Sequence, residues 1–270
     1  MRTPPSSPFS PAPVAAILLL LAGTTLLFLY LKPDAPDARP APAAIPGSSE
    51  TIGHSVEGRP IVCYSFGAGP RTLLIKASIH GTEGAGTPLT HELMKWLHAH
   101  PEVWEKVRIL VLPVANPDGL TAGKRFNSRG VDLNRNFPAD NREDRARFGY
   151  DALSEPESRA LHDFILRNQP DVIVAIHQPL NCVDYDGPWP AEALAARLAK
   201  ETGLPVQKLG ARPGSLGAWF GETLQRPILT LELPPTIAPD PQKLWIDYGP
   251  GLVDLIQNRQ LWPTTSPSPP

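Results

Sequence analysis

The chain is 270 residues long, with 41% hydrophobic and 19% charged residues and a formal net charge of −2. That length suits one large domain or two small ones, and the apolar content supports a packed core. The near-balanced charge excludes a basic nucleic-acid-binding surface spread over the chain, so nucleic acid is not an expected partner. Two cysteines are too few for a disulfide scaffold or an all-cysteine metal site.

Proline is in excess, at 34 residues; ten lie in residues 1–48 and four in residues 263–270. Within the first proline-rich stretch, Val14–Leu31 is an uncharged apolar run of eighteen residues. As a helix it would reach roughly 27 Å, close to the ~30 Å hydrocarbon core of a bilayer. It is longer than the apolar stretch of a cleaved signal peptide, which favours an uncleaved transmembrane anchor. Ala22-Gly23-Thr24 offers a cleavage site, yet apolar sequence continues past it. Arg2 on one side nearly balances Lys32 and Arg39 on the other, so the orientation rests on the usual export of a long C-terminal domain. Residues 1–13 are then a polar flank and 32–48 a semi-rigid Pro/Ala linker. Residues 49–262 form the folded domain, outside the cytoplasm, and 263–270 a disordered tail.

Within the domain, strands are expected at 61–66, 71–79, 107–113, 171–176 and 226–233, each a short apolar run. A glycine-rich turn, His80 to Gly86, leads from the second strand into a helix over about 88–98. Asn116-Pro117-Asp118-Gly119 reads as a turn after the third strand. Ser154-Glu155-Pro156-Glu157 reads as a helix start, with a capping serine and early acids, and that helix runs to about Asn168. Further helices are expected over about 191–202 and 241–258. Strands alternating with helices predict an α/β domain with a mixed, mostly parallel central sheet flanked by helices. In such sheets the site lies beyond the carboxyl ends of the strands.

Three ionisable residues fall at those ends. His80 and His177 directly follow strands, and Glu232 lies near the end of one. With Glu83, three residues past His80, the two histidines make a two-nitrogen, one-carboxylate set suited to catalytic zinc with an open position for water. A His-x-x-Glu pair alone is weak, since a chance pair on a solvated helix face is more common. Glu232 is a lone acid in an apolar strand, where an unpaired charge is costly. It reads either as a structural salt-bridge partner or as a general base. Arg125, Arg129 and Arg135, interleaved with Asn127, Asn134 and Asn136, would ordinarily be a solvated face. Apolar residues bracket Asn134 and Arg135, however, and arginine's fork can read a carboxylate through two hydrogen bonds.

Taken in order, His80-Gly81-Thr82-Glu83, Asn116–Gly119, Arg125, Gly130–Phe137, Ser154–Glu157, His177 and Glu232 resemble the zinc carboxypeptidase family across nearly all of residues 49–260. The stretch from His177 to Pro188 is most similar to a bacterial branch, the murein peptide amidase A group. The resemblance implies a single zinc-carboxypeptidase-like domain with one Zn2+ held by His80, Glu83 and His177. It implies that Glu232 takes a proton from zinc-bound water and passes it to the leaving amine, and that Arg125 stabilises the oxyanion. Asn134 and Arg135 would bind the free carboxylate beside the scissile bond. The expected substrate is a murein peptide, cut between D-glutamate and meso-diaminopimelate, by an enzyme tethered to the inner membrane with its domain in the periplasm. Asp184 and Asp186 could meet the ammonium of the diaminopimelate side chain and Arg212 its carboxylate, or the aspartates could simply hold a turn.

Two features depart from the digestive members. No tyrosine lies in residues 210–231, where those enzymes carry a mobile one; Trp219 and Phe220 are the aromatics there. Residues 1–48 read as anchor and tether rather than a pro-domain. A general metallocarboxypeptidase and an N-acyl-amino-acid deacylase are the nearer alternatives, and an inactive muropeptide-binding module a remote one. The Asn116–Gly119 and Ser154–Glu157 motifs favour the carboxypeptidase side over the deacylases. His54, His91, His98, His100 and His162 carry no motif, and nothing in the sequence brings Cys63 and Cys182 within reach of each other.

Overall fold

The computed structural model describes residues 47–235 and 239–263. The expected span at 14–31, most of its linker and nearly all of the tail lie outside the described residues. Among the described residues no helix is long and apolar enough to cross a membrane.

Among the described residues there are seven strands: β1 (Ser48–His54), β2 (Pro60–Phe66), β3 (Thr72–Lys76), β4 (Arg108–Leu112), β5 (Val172–His177), β6 (Cys182–Asp186) and β7 (Ile228–Glu232), of which β3, β4, β5 and β7 are short runs rich in β-branched and leucine residues. They form one sheet in the order β1-β2-β4-β3-β5-β7-β6. The central four, β4-β3-β5-β7, are parallel, whereas β1-β2, β2-β4 and β6-β7 pair antiparallel. Half of the pairings are therefore antiparallel, fewer parallel ones than expected. The difference comes from β1 and β6, which the apolar patterning does not mark. In β6 the sequence Cys-Val-Asp-Tyr-Asp looks like a polar turn. Its Val183 and Tyr185 are nevertheless buried in the core, while Asp184 and Asp186 face the other way.

Among the described residues five α-helices flank the sheet: α1 (Gly86–Ala99), α2 (Pro117–Ala122), α3 (Pro156–Asn168), α4 (Ala191–Thr202) and α5 (Pro241–Gln257). Leu89, Leu93 and Leu97 of α1, Leu194 and Leu198 of α4 and Leu252 and Leu255 of α5 pack on one face with Leu73, Ile75, Val174 and Leu231. Leu161, Phe164 and Ile165 of α3 pack on the other with Leu74, Leu110, Ile173 and Ile228. Each such buried side chain contributes about 1.5–3 kcal/mol.

Two starts differ from expectation. The Asn116 turn opens α2, with the Asn116 side chain accepting from Gly119 N as the cap. Ser154 does not cap α3; Glu155 occupies that place without a side-chain cap. Cys63 and Cys182 are buried free thiols.

Candidate metal centre and substrate pocket

Period-two alternation places the site. Lys76 shares a sheet face with Leu74, His177 with Ala175 and Ile173, and Glu232 with Thr230 and Ile228. All three end their strands, and the face they share is the one that carries α3. His177 pairs in register with Glu232, and Glu232 with Cys182 on β6. Thr230, Asp184 and Asp186 continue the same face deeper into the sheet.

His80 arrives by a loop rather than from the strand itself, four residues past the end of β3. Ser78 adopts a left-handed conformation (φ 50°), unusual for a residue with a side chain, and turns the chain. Asn116 Nδ2 donates to Ile79 O, and Asn116 N donates to Ser78 O. Gly81 lies so close to Gly119 that an added Cβ would stand 2.0 Å from its carbonyl carbon. The Asn116–Gly119 motif therefore serves the site as a backboard for the His80 loop. Asp118 fastens that backboard to the β1–β2 hairpin through Ser55 Oγ, Glu57 N and Arg59 Nη1.

The Ser154–Glu157 motif has a similar duty. Glu155 accepts from Asn127 Nδ2 at 2.7 Å. Asn136 Oδ1 accepts from Glu155 N and Ser158 Oγ, and Asn136 Nδ2 donates to Ser154 Oγ and Phe148 O. Asn127 and Asn136 are scaffold, and they hold the segment that presents Asn134 and Arg135. The Asn134 side chain Oδ1 accepts from Leu216 N at 3.0 Å.

His80 Nδ1 lies 2.8 Å from Glu83 Oε1, and His177 Nδ1 lies 2.8 Å from Glu83 Oε2. These atoms are mutually within 4.8 Å, and all three residues are buried. The outer nitrogen of His80, Nε2, meets Asp132 Oδ1 at 3.0 Å. If Nε2–H donates to Asp132, the Nδ1 lone pair faces the Glu83 carboxylate, a juxtaposition that calls for a shared cation. Two imidazole nitrogens and a carboxylate, oriented by an outer acid, fit Zn2+.

Burial pushes His177 down to about 4, with nearby Lys76 adding to the fall, so its ring is neutral and able to ligate at neutral pH. Burial also works against ionised Glu83, but His177 and His80 outweigh it and hold its carboxyl well below the usual range. Asp132, likewise opposed by burial, is held down to about 2 by His80 and Arg125.

The expected zinc ligands His80, Glu83 and His177 line one cavity of about 240 Å³ together with Glu232, Arg125, Asn134, Arg135, Asp184 and Asp186, whereas Arg129, Asn127 and Asn136 do not line it. Arg125 Nη1 donates to Glu83 Oε1 at 2.9 Å and its Nε to Asp132 Oδ2 at 3.3 Å. Glu232 is buried, and its Oε2 accepts from Leu180 N at 3.3 Å. Burial raises its carboxyl, and the charge of Glu83 adds to the rise. Asp184 and Asp186 lie in the cavity wall, with Arg212 also lining it. They belong to β6 and not to a turn, so turn-holding does not account for them.

Three residues of the site are not singled out by the sequence. Asp132 orients His80; its signal is that of Glu232, a lone acid between apolar neighbours. Lys76 is fully buried, with Nζ 3.1 Å from His177 Nε2, and burial lowers it to about 7. It too is a lone charge in a dense apolar run. Gln178 Oε1 accepts from Ala85 N at the start of α1, and Gln178 Nε2 donates to Pro234 O, which braces the residue after His177.

An α/β sheet with a buried two-histidine, one-carboxylate cluster at its strand ends, beside a second glutamate, defines a metal-dependent hydrolase. The family description of zinc carboxypeptidases matches residues 46–190. Murein peptide amidase A of Escherichia coli K12 is 32% identical over 214 residues, covering 71% of this chain and 84% of that protein. Its counterpart from Vibrio campbellii is 32% identical over 208 residues, covering 70% and 80%. The crystal structure of murein-tripeptide amidase MpaA from Escherichia coli O157 superposes with a TM-score of 0.60 at 29% identity, covering 86% of this chain and 98% of that one. The carboxypeptidase A structure from Helicoverpa armigera, 20% identical with a TM-score of 0.62 over 90% of this chain and 77% of that one, shares the fold. The chain belongs to the zinc carboxypeptidase family and is an enzyme with a zinc cofactor.

Proposed function

We propose that the enzyme hydrolyses an amide bond next to a free carboxylate in murein peptides, namely the bond between γ-D-glutamate and meso-diaminopimelate. The observation that carries this reading is the meeting, in one cavity, of the His80–Glu83–His177 cluster, a buried second glutamate and the Asn134–Arg135 pair. The similarity to murein peptide amidases supports the choice of substrate.

His80, Glu83 and His177 would hold the zinc, which when bound supplies Lewis acidity toward the scissile carbonyl and makes water a nucleophile near neutral pH. Glu232 accepts a proton from the attacking water and returns it to the leaving amine. Its raised carboxyl brings its proton affinity closer to the working pH than that of an exposed glutamate. Arg125, half-exposed at the cavity, donates to the oxygen on which charge develops. Arg135 and the amide nitrogen of Asn134 receive the substrate carboxylate, which sets the distance from that end to the bond cut. We further propose that residues 14–31 tether the enzyme to the inner membrane with its domain on the periplasmic side. A C-terminal reporter active only in the cytoplasm would refute that placement.

The test of function uses the purified full-length protein with L-Ala-γ-D-Glu-meso-diaminopimelate, an ordinary C-terminal dipeptide and an N-acyl amino acid. Release of diaminopimelate from the first alone is the expected result. Preference for the second would make the enzyme a general carboxypeptidase, and preference for the third a deacylase. Zinc binding without turnover of any of them would leave a binding module.

A further inference from the structure

Lys76 is the last residue of β3, and at 0% exposure it is among the largest side chains fully buried in the protein. It pairs in register with Leu112 of β4 and Ala175 of β5. Its neighbours on that face of the sheet are apolar: Leu74, Leu112 and Ala175 belong to the core under α3. A leucine or methionine would fill such a place without the cost of burying a polar group. Ala175 carries nothing beyond Cβ, so the lysine stem can pass it toward His177, two residues further along β5.

The amine ends 3.1 Å from His177 Nε2, and among the described residues neither nitrogen makes another hydrogen-bond contact. The carboxylates of Glu83 and Glu232 lie near Lys76, yet neither forms an ion pair with it. The two histidines of the metal cluster are therefore held in different ways. His80 has a carboxylate, Asp132, at its outer nitrogen, a common outer partner of a metal-binding imidazole. At the outer nitrogen of His177 that place belongs to Lys76. With Glu83 Oε2 at Nδ1 and Lys76 Nζ at Nε2, both ring nitrogens are engaged and the ring plane is fixed.

We infer that Lys76 is the positioning residue of His177: its amine holds the outer ring nitrogen so that Nδ1 points at the metal. The inference rests on the reading of His80, Glu83 and His177 as zinc ligands and is independent of the substrate. Glutamine, although shorter, offers both an N–H and an acceptor and can serve either ring tautomer. Methionine keeps the stem length and offers at best a weak sulfur acceptor.

The test measures Zn2+ affinity of the full-length protein by chelator competition, and the visible spectrum with Co2+ in place of Zn2+, which reports ligand geometry. Lys76→Met should weaken Zn2+ binding by about 10–100-fold, the scale for loss of an outer partner, and should alter the cobalt spectrum. Lys76→Gln should recover part of the affinity. The metal-free Lys76→Met protein should unfold at or above the temperature of the metal-free wild type, since an apolar side chain replaces a buried polar one. Either readout unchanged in Lys76→Met would overturn the proposal, and so would a Lys76→Gln protein that binds no better than Lys76→Met. A metal-free Lys76→Met protein that unfolds well below the wild type would assign the lysine to the core and overturn it equally. His177→Ala is the control on the ligand assignment: wild-type affinity in that variant would overturn the metal-site reading, and this proposal with it.

Discussion

Asp186→Asn should stabilise the substrate-free protein, and increasingly so as pH rises. The Asp186 carboxyl has an ordinary value of 3.8 and is raised to about 7, first by burial and then by Asp184 and Glu222. Between those values the folded state keeps a proton that the unfolded chain has lost, so stability falls as pH rises. The contribution is fully present below about pH 4, is lost progressively toward pH 7 and changes little above it. A tenfold change in proton affinity corresponds to about 1.36 kcal/mol, so the wild type should lose roughly 2.5 kcal/mol relative to Asp186→Asn between pH 5 and pH 8. Urea unfolding of both proteins at the two pH values, at matched zinc content, measures the difference, because titrating groups remote from Asp186 contribute equally to both proteins. Parallel pH profiles would refute the reasoning, since they would mean that the buried carboxylate is partnered after all.

Other expectations concern the metal site and its surroundings. Glu232→Gln should keep its zinc while kcat falls by about 10²–10⁴-fold, as measured by metal content and steady-state rates on one preparation. Asp132→Asn, which removes the charged partner of His80 Nε2, should weaken zinc affinity by about 10–100-fold in a chelator competition. Arg135→Ala should raise KM for substrates with a free carboxylate and erase the preference over their carboxyl-amidated forms. An unchanged preference would move carboxylate recognition elsewhere.

Much of the site is legible in the sequence because its chemistry breaks the pattern around it. His80, His177 and Glu232 stand out as ionisable residues at the ends of apolar runs, and those runs are the parallel core strands. The ordered motifs add Arg125, Asn134 and Arg135, all found in the same cavity. The same signal in Asp132 and Lys76 is masked by its surroundings, since one sits in a polar, arginine-rich stretch and the other inside a dense strand. Strand β6 is hidden for a different reason. It borders the cavity, so its inward positions are aspartates, and alternation of aspartate with valine and tyrosine resembles a turn. The antiparallel edge β1 mixes exposed and half-buried residues and shows no apolar stripe. The roles of Asn127, Asn136 and Asp118 need coordinates, because their partners lie up to 63 residues away in sequence.

The central claim is that the His80–Glu83–His177 cluster holds the zinc that drives amide hydrolysis with Glu232 as proton carrier. Its most direct test follows diaminopimelate release from L-Ala-γ-D-Glu-meso-diaminopimelate by mass spectrometry, for the full-length wild type and for His177→Ala. The wild type should carry one zinc per chain, stop on chelation and recover when zinc is returned. His177→Ala should bind little zinc and release nothing. Release that persists in the chelated enzyme, or in a zinc-free His177→Ala protein, would contradict the account.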